Sequence, residues 1–223
     1  MTAAVSFHEV GVAGFFEDFS FEVEMGRSAL IVTSREDEST VLLRLITGLS
    51  LPLRGKINVS GQSLMELSSS QLYQTRQQIG VVPSRGGLIS NLKLWENITL
   101  PLLYTSGQIT EESENKAINL LNMLGYSDDI MNQPAHLSLY EKRIAAFVRA
   151  TLCQPQIMVY SNCFDDIPTE ARKTFYAATA EFHAASAERT SLYFISSADA
   201  AIEQTVDSII YVHDNTKVFT GNS

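Results

Sequence analysis

The chain is poor in cysteine: Cys153 and Cys163 are the only two in 223 residues. They have neither CxxC nor zinc-ligand spacing, which excludes a disulfide framework and a zinc module and suits a reduced, cytoplasmic protein. Positive charge is also scarce, with Lys and Arg numbering 16 against 25 Asp and Glu, a net charge of −9. Without clustered basic residues, sequence-independent binding to nucleic acid or anionic lipid has no electrostatic footing. Long apolar runs are missing too. No stretch approaches the roughly 18 apolar residues that a spanning helix needs, so membrane association is expected only through a partner. The opening residues contain His8 and Glu9 and no basic region, so no signal peptide is expected there. Internal repeats and low-complexity segments are not seen.

What is present is an ordinary globular balance, 45% apolar and 18% charged, with ample material for a core. The length suits a single domain over 1–223 with an inserted lobe. Phe19, Phe21 and Val23 alternate with Ser20, Glu22 and Glu24, the period of a half-buried strand. Ala29-Leu30-Ile31-Val32 is a continuous apolar run, as in a strand buried on both faces. A polar loop, Thr33 to Glu38, follows. Ser39 to Leu49 reads as a helix with Val41, Leu42, Leu45 and Ile46 on one face and Gly48 as its stop. Further strands are expected at 56–59, 79–82, 157–160, 192–195 and 209–212. Further helices are expected at about 110–126, with Thr110 as N-cap, and at 139–152. Strands alternating with helices give an α/β class with a mostly parallel sheet, an antiparallel β edge and an inserted helical subdomain at about 90–150.

A buried strand, a loop, Ser39-Thr40 and a helix form the setting of a phosphate-binding loop. From there the chain resembles the ATP-binding-cassette (ABC) transporter ATPase family over about residues 20–213. Leu42 to Leu49 resembles the helix after that loop, and Pro52 to Gly55 and Gly61-Gln62 resemble the turn and strand that follow it. Trp95-Glu96-Asn97-Ile98-Thr99-Leu100-Pro101-Leu102 resembles the region after the Q-loop. Leu137-Ser138 begins what resembles the signature segment, with Arg149-Ala150 at the family's spacing. Pro155 to Tyr160 resembles the Walker B strand, and Asp207 falls ten residues after Ser197, the family's spacing from its switch histidine.

The resemblance holds in order and spacing and departs at the chemistry. A phosphate loop reads G-x-x-x-x-G-K-[ST], with glycines that let backbone N–H groups curl around phosphates and a lysine that neutralises them. This chain has Val32 at the first glycine, Asp37 at the last and Glu38 at the lysine, with Thr33, Ser34, Arg35 and Glu36 between and Ser39-Thr40 after. An opposite-charge contact at about 4 Å is worth about 4 kcal/mol at an effective dielectric of 20, and reversing its sign turns that attraction into repulsion. The resemblance also places Ser84 at the Q-loop glutamine, Leu139 and Tyr140 at the signature glycines after Ser138, Ser161 at the Walker B aspartate, Asn162 at the catalytic glutamate and Ser197 at the switch histidine.

Parallel change at all these points implies a catalytically degenerate cassette, a pseudo-ATPase, with no cofactor expected and MgATP only in a divergent mode through Arg35, Ser39 and Asp165 or Asp166. Asp165 and Asp166 read equally as solvated turn residues, and Ser39 as a helix N-terminal residue. Phe15 and Phe16 are candidates for an adenine platform or for the core. His8, His136, His183 and His213 share no metal-ligand spacing, and no metal is expected. The groove that in this family receives a permease helix corresponds to Gly86 to Trp95, with Leu88, Ile89, Asn91, Leu94 and Trp95 as docking candidates. That stretch resembles cassettes serving lipid importers of the lipid-asymmetry (MCE) type. The implied partners are a multi-span membrane permease at the cytoplasmic face and a second cassette, as homodimer or heterodimer. A stand-alone soluble interaction protein is the remaining alternative.

Overall fold

The computed structural model describes residues 2–196, 205–213 and, as backbone, 216–219. The chain divides into two compact units, Met1–Ile79 with Gln156–Asn162 and Ser186–Ser223, and Gly80–Pro155 with Cys163–Ala185.

The first unit runs β1 (Ala3–Val12), β2 (Phe16–Glu24), β3 (Ser28–Val32), α1 (Glu36–Ile46), β4 (Arg54–Val59), β5 (Gln62–Ser63) and α2 (Ser69–Gln77). The chain leaves it along β6 (Ile79–Val82), and returns as β7 (Ile157–Ser161), β8 (Thr190–Ile195), β9 (Ser208–Tyr211) and β10 (Thr216–Phe219). One sheet is antiparallel, in the order β2-β1-β4-β5. The alternation in β2 buries Phe19, Phe21 and Val23. Phe7 lies directly opposite Phe21 across the β1–β2 pair, with ring centroids 4.6 Å apart. Such cross-strand aromatic pairs are a main source of sheet stability.

The other sheet places β3 between β9 and β8, parallel to both, with β7 parallel to β8 beyond. Ala29, Leu30 and Ile31 are fully buried, which is why β3 reads as an unbroken apolar run. This arrangement meets the expectation of a mostly parallel sheet with an antiparallel part. In parallel α/β sheets, ligands gather at the carboxyl ends of the strands, and here Val32, Ile195 and Tyr211 mark one such end.

Helix α1 begins at Glu36, earlier than the sequence pattern suggests. Its first turn holds Glu36, Asp37 and Glu38, acids that suit the positive end of a helix dipole. It ends at Ile46 in a Schellman motif: the Gly48 N–H donates to Leu45 O at 3.0 Å and the Leu49 N–H to Arg44 O at 2.8 Å, with Gly48 at φ +63°. The guanidinium of Arg76, at the end of α2, donates to the carbonyls of Thr47 and Gly48, satisfying the same terminus.

The second unit holds α3 (Leu94–Thr105), α4 (Glu111–Met123), α5 (Leu139–Leu152) and α6 (Thr169–Ala184). α4 and α5 start on capping boxes, Thr110 with Ser113 and Ser138 with Glu141. Its core joins Leu94, Ile98, Leu121, Leu124 and the Ile144–Val148 stretch. Phe147 meets Phe175 edge-on at 5.5 Å.

Gly55 and Gly14 both sit at positive φ, but only at Gly55 would a Cβ run into backbone, the carbonyls of His8 and Glu9. Gly14→Ala should therefore cost about 1–2 kcal/mol, the left-handed penalty alone. Gly55→Ala should cost clearly more, in the upper part of the roughly 0.5–3 kcal/mol range of single substitutions. Urea midpoints of the two variants check this, and equal losses would show that the close approach in the β1–β4 pair is relieved at no cost.

Candidate functional site

The loop leaving β3 is built on hydrogen bonds to the neighbouring strand. The Thr33 N–H donates to Ile195 O at 2.8 Å. The Thr33 hydroxyl lies 3.1 Å from both Ile195 O and Arg35 O and 2.9 Å from the Ser39 hydroxyl. Ser39 is fully buried. Val32 is half-buried, and Ser34, Arg35, Glu36, Asp37 and Thr40 are exposed. The Thr40 hydroxyl donates to Glu36 O at 3.2 Å.

Glu38 is the exception among the acids, with only 3% of its side chain exposed. Its Oε2 accepts the Ser34 N–H at 2.8 Å. Its two oxygens lie 3.0 and 3.1 Å from His213 Nε2, and Oε1 lies 3.4 Å from Arg35 Nε. Arg35 also pairs with Asp37 at 3.2 Å and sits 5.7 Å over the Phe15 ring. Burial pushes the Glu38 carboxyl up, but the His213 hydrogen bond, the Ser34 N–H, the His213 charge and the Arg35 N–H together hold it below its ordinary value.

The ends of β7 and β8 complete this edge of the sheet. Ser161 is buried at the last position of β7. The Asn162 N–H donates to Phe194 O at 2.9 Å, next to the β8 carbonyl that Thr33 uses. Asn162 is 2% exposed at φ +46°, a backbone region that Asn tolerates better than most residues. Neither amide atom of its side chain has a hydrogen-bond partner, an arrangement that native proteins rarely keep without reason. Ser197 lies outside the described residues. Phe16 is core, and Phe15 is half-buried beside Arg35.

In the second unit, the Ser84 carbonyl accepts Arg143 Nε at 2.6 Å, and Arg143 Nη1 donates to the Asp165 carbonyl. Arg143 is 4% exposed, so this segment is held by a buried cation. Ser138 is used as the α5 N-cap and Leu139 is exposed. The Tyr140 hydroxyl donates to Leu124 O at 2.8 Å, and burial raises its pKa. Tyr140 thus braces α4 against α5. Asp166 is exposed at φ +56°.

The docking candidates separate. Leu94 is fully buried and belongs to the core, because α3 begins there and turns it inward. Leu88 and Trp95 are half-buried, and Ile89 and Asn91 are exposed. Asn97, 1% exposed, fastens this segment: its Oδ1 accepts the Ile89 N–H, and its Nδ2 donates to the carbonyls of Ile89, Leu92 and Lys93. Arg149 adds a bond to the Gly87 carbonyl at 2.9 Å.

Sequence reasoning placed Asn97 and Arg149 in motifs without their roles. It passed over Arg143, and it left His213 among scattered histidines. The signal for Asn97 and Arg149 was their position in the motif, whereas His213 is 175 residues from Glu38 and carries no local signal. Among the described residues, no group of three or more His, Cys, Asp or Glu is placed to hold a metal ion, and no helix is long and apolar enough to cross a membrane.

A parallel-sheet core with a strand–loop–helix turn at its carboxyl edge is shared by many ligand-binding α/β folds. The chain belongs to the ABC transporter family, whose profile matches residues 16–164. It is similar to the methionine import ATP-binding protein MetN of Vibrio vulnificus (strain YJ016), 29% identical over 64% of this chain and 41% of that protein. The chain thus spans about two fifths of the length of that relative. It is also similar to the lipoprotein-releasing system ATP-binding protein LolD of Xanthomonas axonopodis pv. citri (strain 306), 25% identical over 89% of this chain and 80% of that one. Its fold matches the MJ0796 cassette dimer in a post-hydrolysis state bound to ADP and Pi, with a TM-score of 0.82 at 18% identity over 98% of this chain and 100% of that one. It also matches cbiO1 of Clostridium perfringens, with a TM-score of 0.76 at 13% identity over 100% of this chain and 89% of that one.

These relatives correct the expectation that no cofactor is needed. MetN and LolD are named ATP-binding proteins, and the MJ0796 dimer holds ADP and Pi. In this conformation the Ser34 N–H of the loop donates to the Glu38 carboxylate.

A carboxylate held below its ordinary pKa stabilises the fold above the unfolded value and loses that contribution as pH falls through the folded one. Wild-type protein should exceed Glu38→Gln in stability by about 1–3 kcal/mol near neutral pH, the usual worth of hydrogen bonds to a charged group. The difference should close below the ordinary carboxylate range. Urea titrations of both proteins from neutral to acidic pH check this, and a difference that does not vary with pH would contradict the ionised pairing.

Proposed function

We propose that this chain is the nucleotide-binding subunit of an ABC-type transporter. It docks at the cytoplasmic face on a multi-span membrane permease, pairs with a second cassette, and takes MgATP while hydrolysing it weakly or not at all. The observation that carries the weak hydrolysis is the residue set at the carboxyl edge of the parallel sheet, where Ser161 ends β7, Asn162 follows it, and Glu38 lies in the first turn of α1 after β3. Phosphoryl transfer in P-loop proteins rests on a cation at the β- and γ-phosphates, a carboxylate on the metal and a group that orients water. A serine hydroxyl is a weaker, neutral substitute for a carboxylate on the metal, and an amide can orient water but cannot take its proton near neutral pH. In this reading, MgATP serves assembly and conformation, and the subunit is structural or regulatory.

Family membership and the import and release systems named for MetN and LolD support the permease partner. Ile89 and Asn91, exposed beside half-buried Leu88 and Trp95 and held in place by Asn97, are the docking surface. A lipid cargo is the finest part of the proposal. It rests on the likeness of Gly86 to Trp95 to lipid-importer cassettes and on the lipoprotein system named for LolD.

Tagged chain recovered from its native membranes should bring a multi-span membrane protein with it. Ile89→Asp should lower that recovery about tenfold, the effect of a 1.4 kcal/mol loss, while leaving the melting temperature near wild type because Ile89 is 44% exposed. Undiminished recovery would move the docking surface elsewhere.

Turnover is the second test. Glu38→Lys alone should leave ATP hydrolysis at background, because Ser161 and Asn162 remain. Measurable turnover in that single variant would overturn the assignment of weak hydrolysis to β7.

A further inference from the structure

We propose that Glu38 is a built-in occupant of the anion seat in the β3–α1 loop, and that nucleotide phosphate enters only by turning this carboxylate out. The inference rests on the reading that the chain takes MgATP and adds what regulates its entry.

A loop that ends a parallel strand and opens a helix presents backbone N–H groups to an anion. In this chain an anion is already there. The Glu38 carboxylate is almost fully enclosed and takes the Ser34 N–H at 2.8 Å. The Arg35 guanidinium and the His213 imidazole, the two basic groups in contact with it, lie at 3.4 and 3.0 Å. Its neighbours Glu36 and Asp37 point to solvent instead. Glu38 is therefore docked rather than merely nearby, and its ligands are of the kinds that a phosphate would use: loop N–H, guanidinium and imidazole. One carboxylate thereby ties together the loop, the first turn of α1 and the segment after β9.

A second, independent observation lies along the same strand ends. The Asn162 amide is 2% exposed with neither its donor nor its acceptor satisfied. Asn162 and Thr33 are anchored to adjacent carbonyls of β8, Phe194 O and Ile195 O. A buried amide left unsatisfied is costly, and a polar ligand at this edge would give it a partner. The seated carboxylate and the unsatisfied amide lie at the same carboxyl edge of the parallel sheet.

The energetic consequence follows from a two-state equilibrium. If the seat is open for only a fraction of the time, apparent affinity falls by that fraction. Glu38 held in place about 99% of the time would weaken MgATP binding about a hundredfold.

The test is calorimetric titration of the full chain with MgATP for wild type, Glu38→Ala, Glu38→Gln, His213→Ala and the exposed-acid control Glu66→Gln. Hydrogen exchange at the Ser34 amide is followed in parallel. Both Glu38 variants should bind MgATP about tenfold or more tighter than wild type, and Glu66→Gln should match wild type. His213→Ala separates a docked plug from simple charge repulsion. Loosening the plug should speed exchange of the Ser34 amide in His213→Ala, whereas charge repulsion without docking predicts no change in that exchange. The Ser34 amide should exchange faster in Glu38→Ala and be protected again by MgATP.

Affinities within about twofold of wild type in both Glu38 variants, Ser34 exchange unchanged in His213→Ala, or no binding by any variant up to about 10 mM would overturn the proposal. Glu38→Gln, nearly isosteric, keeps the test valid if the alanine variant unfolds. Tighter binding together with hydrolysis would sustain the plug and refute the weak-hydrolysis reading. Unchanged binding without hydrolysis would do the reverse.

Discussion

The arrangement of the first unit depends on one buried carboxylate. Removing an ion from water costs several kcal/mol unless its partners compensate, and Glu38 has partners from two segments: Ser34 and Arg35 in the loop and His213 after β9. The helix dipole adds to them, since Glu38 lies in the first turn of α1. The exposed Arg35–Asp37 pair contributes little beside this, as surface ion pairs generally do. The carboxylate therefore explains why α1 starts at Glu36, why the loop is short, and why a segment far along the chain is bound to it.

Much of the fold was legible because burial imposes periodicity. β3 is buried on both faces and reads as a continuous apolar run. α5 runs from Leu139 to Leu152, as its pattern and its Ser138 cap indicate. Thr110 caps α4, as expected. The polar helix α2 was missed because it buries little beyond Thr75, so it carries no apolar stripe. The start of α1 was placed late because its first turn is wholly acidic and reads as loop. Glu is a good helix former and Asp a poor one, and the helix dipole favours all three in a first turn.

The candidate site was legible as a set of positions and not as a set of contacts. The resemblance places Glu38 where the family's loop has a lysine. It could not reveal that this carboxylate turns inward, because the groups that make this possible include a histidine 175 residues away. Leu94 illustrates the opposite error. As an apolar residue beside a lone tryptophan it resembled a docking contact, yet it is fully buried as the first residue of α3. Exposure within an apolar segment is decided by where the next helix begins, and a string of letters marks that point only to within a few residues.

Two polar side chains at the carboxyl edge of the parallel sheet carry opposite imbalances. Glu38 has more partners than a solvated acid would need, and Asn162 has none at either amide atom. Buried polar groups are costly when half satisfied and rigidifying when fully satisfied. An edge holding one of each is therefore not at a single polar optimum. Any change that moves the Glu38 carboxylate off the Ser34 N–H leaves a loop donor free while the Asn162 amide still lacks partners. A ligand rich in acceptor oxygens could take both the loop N–H and the Asn162 Nδ2 donor. On the proposed reading, Glu38 sets the conformation from which a nucleotide would displace the chain's own anion.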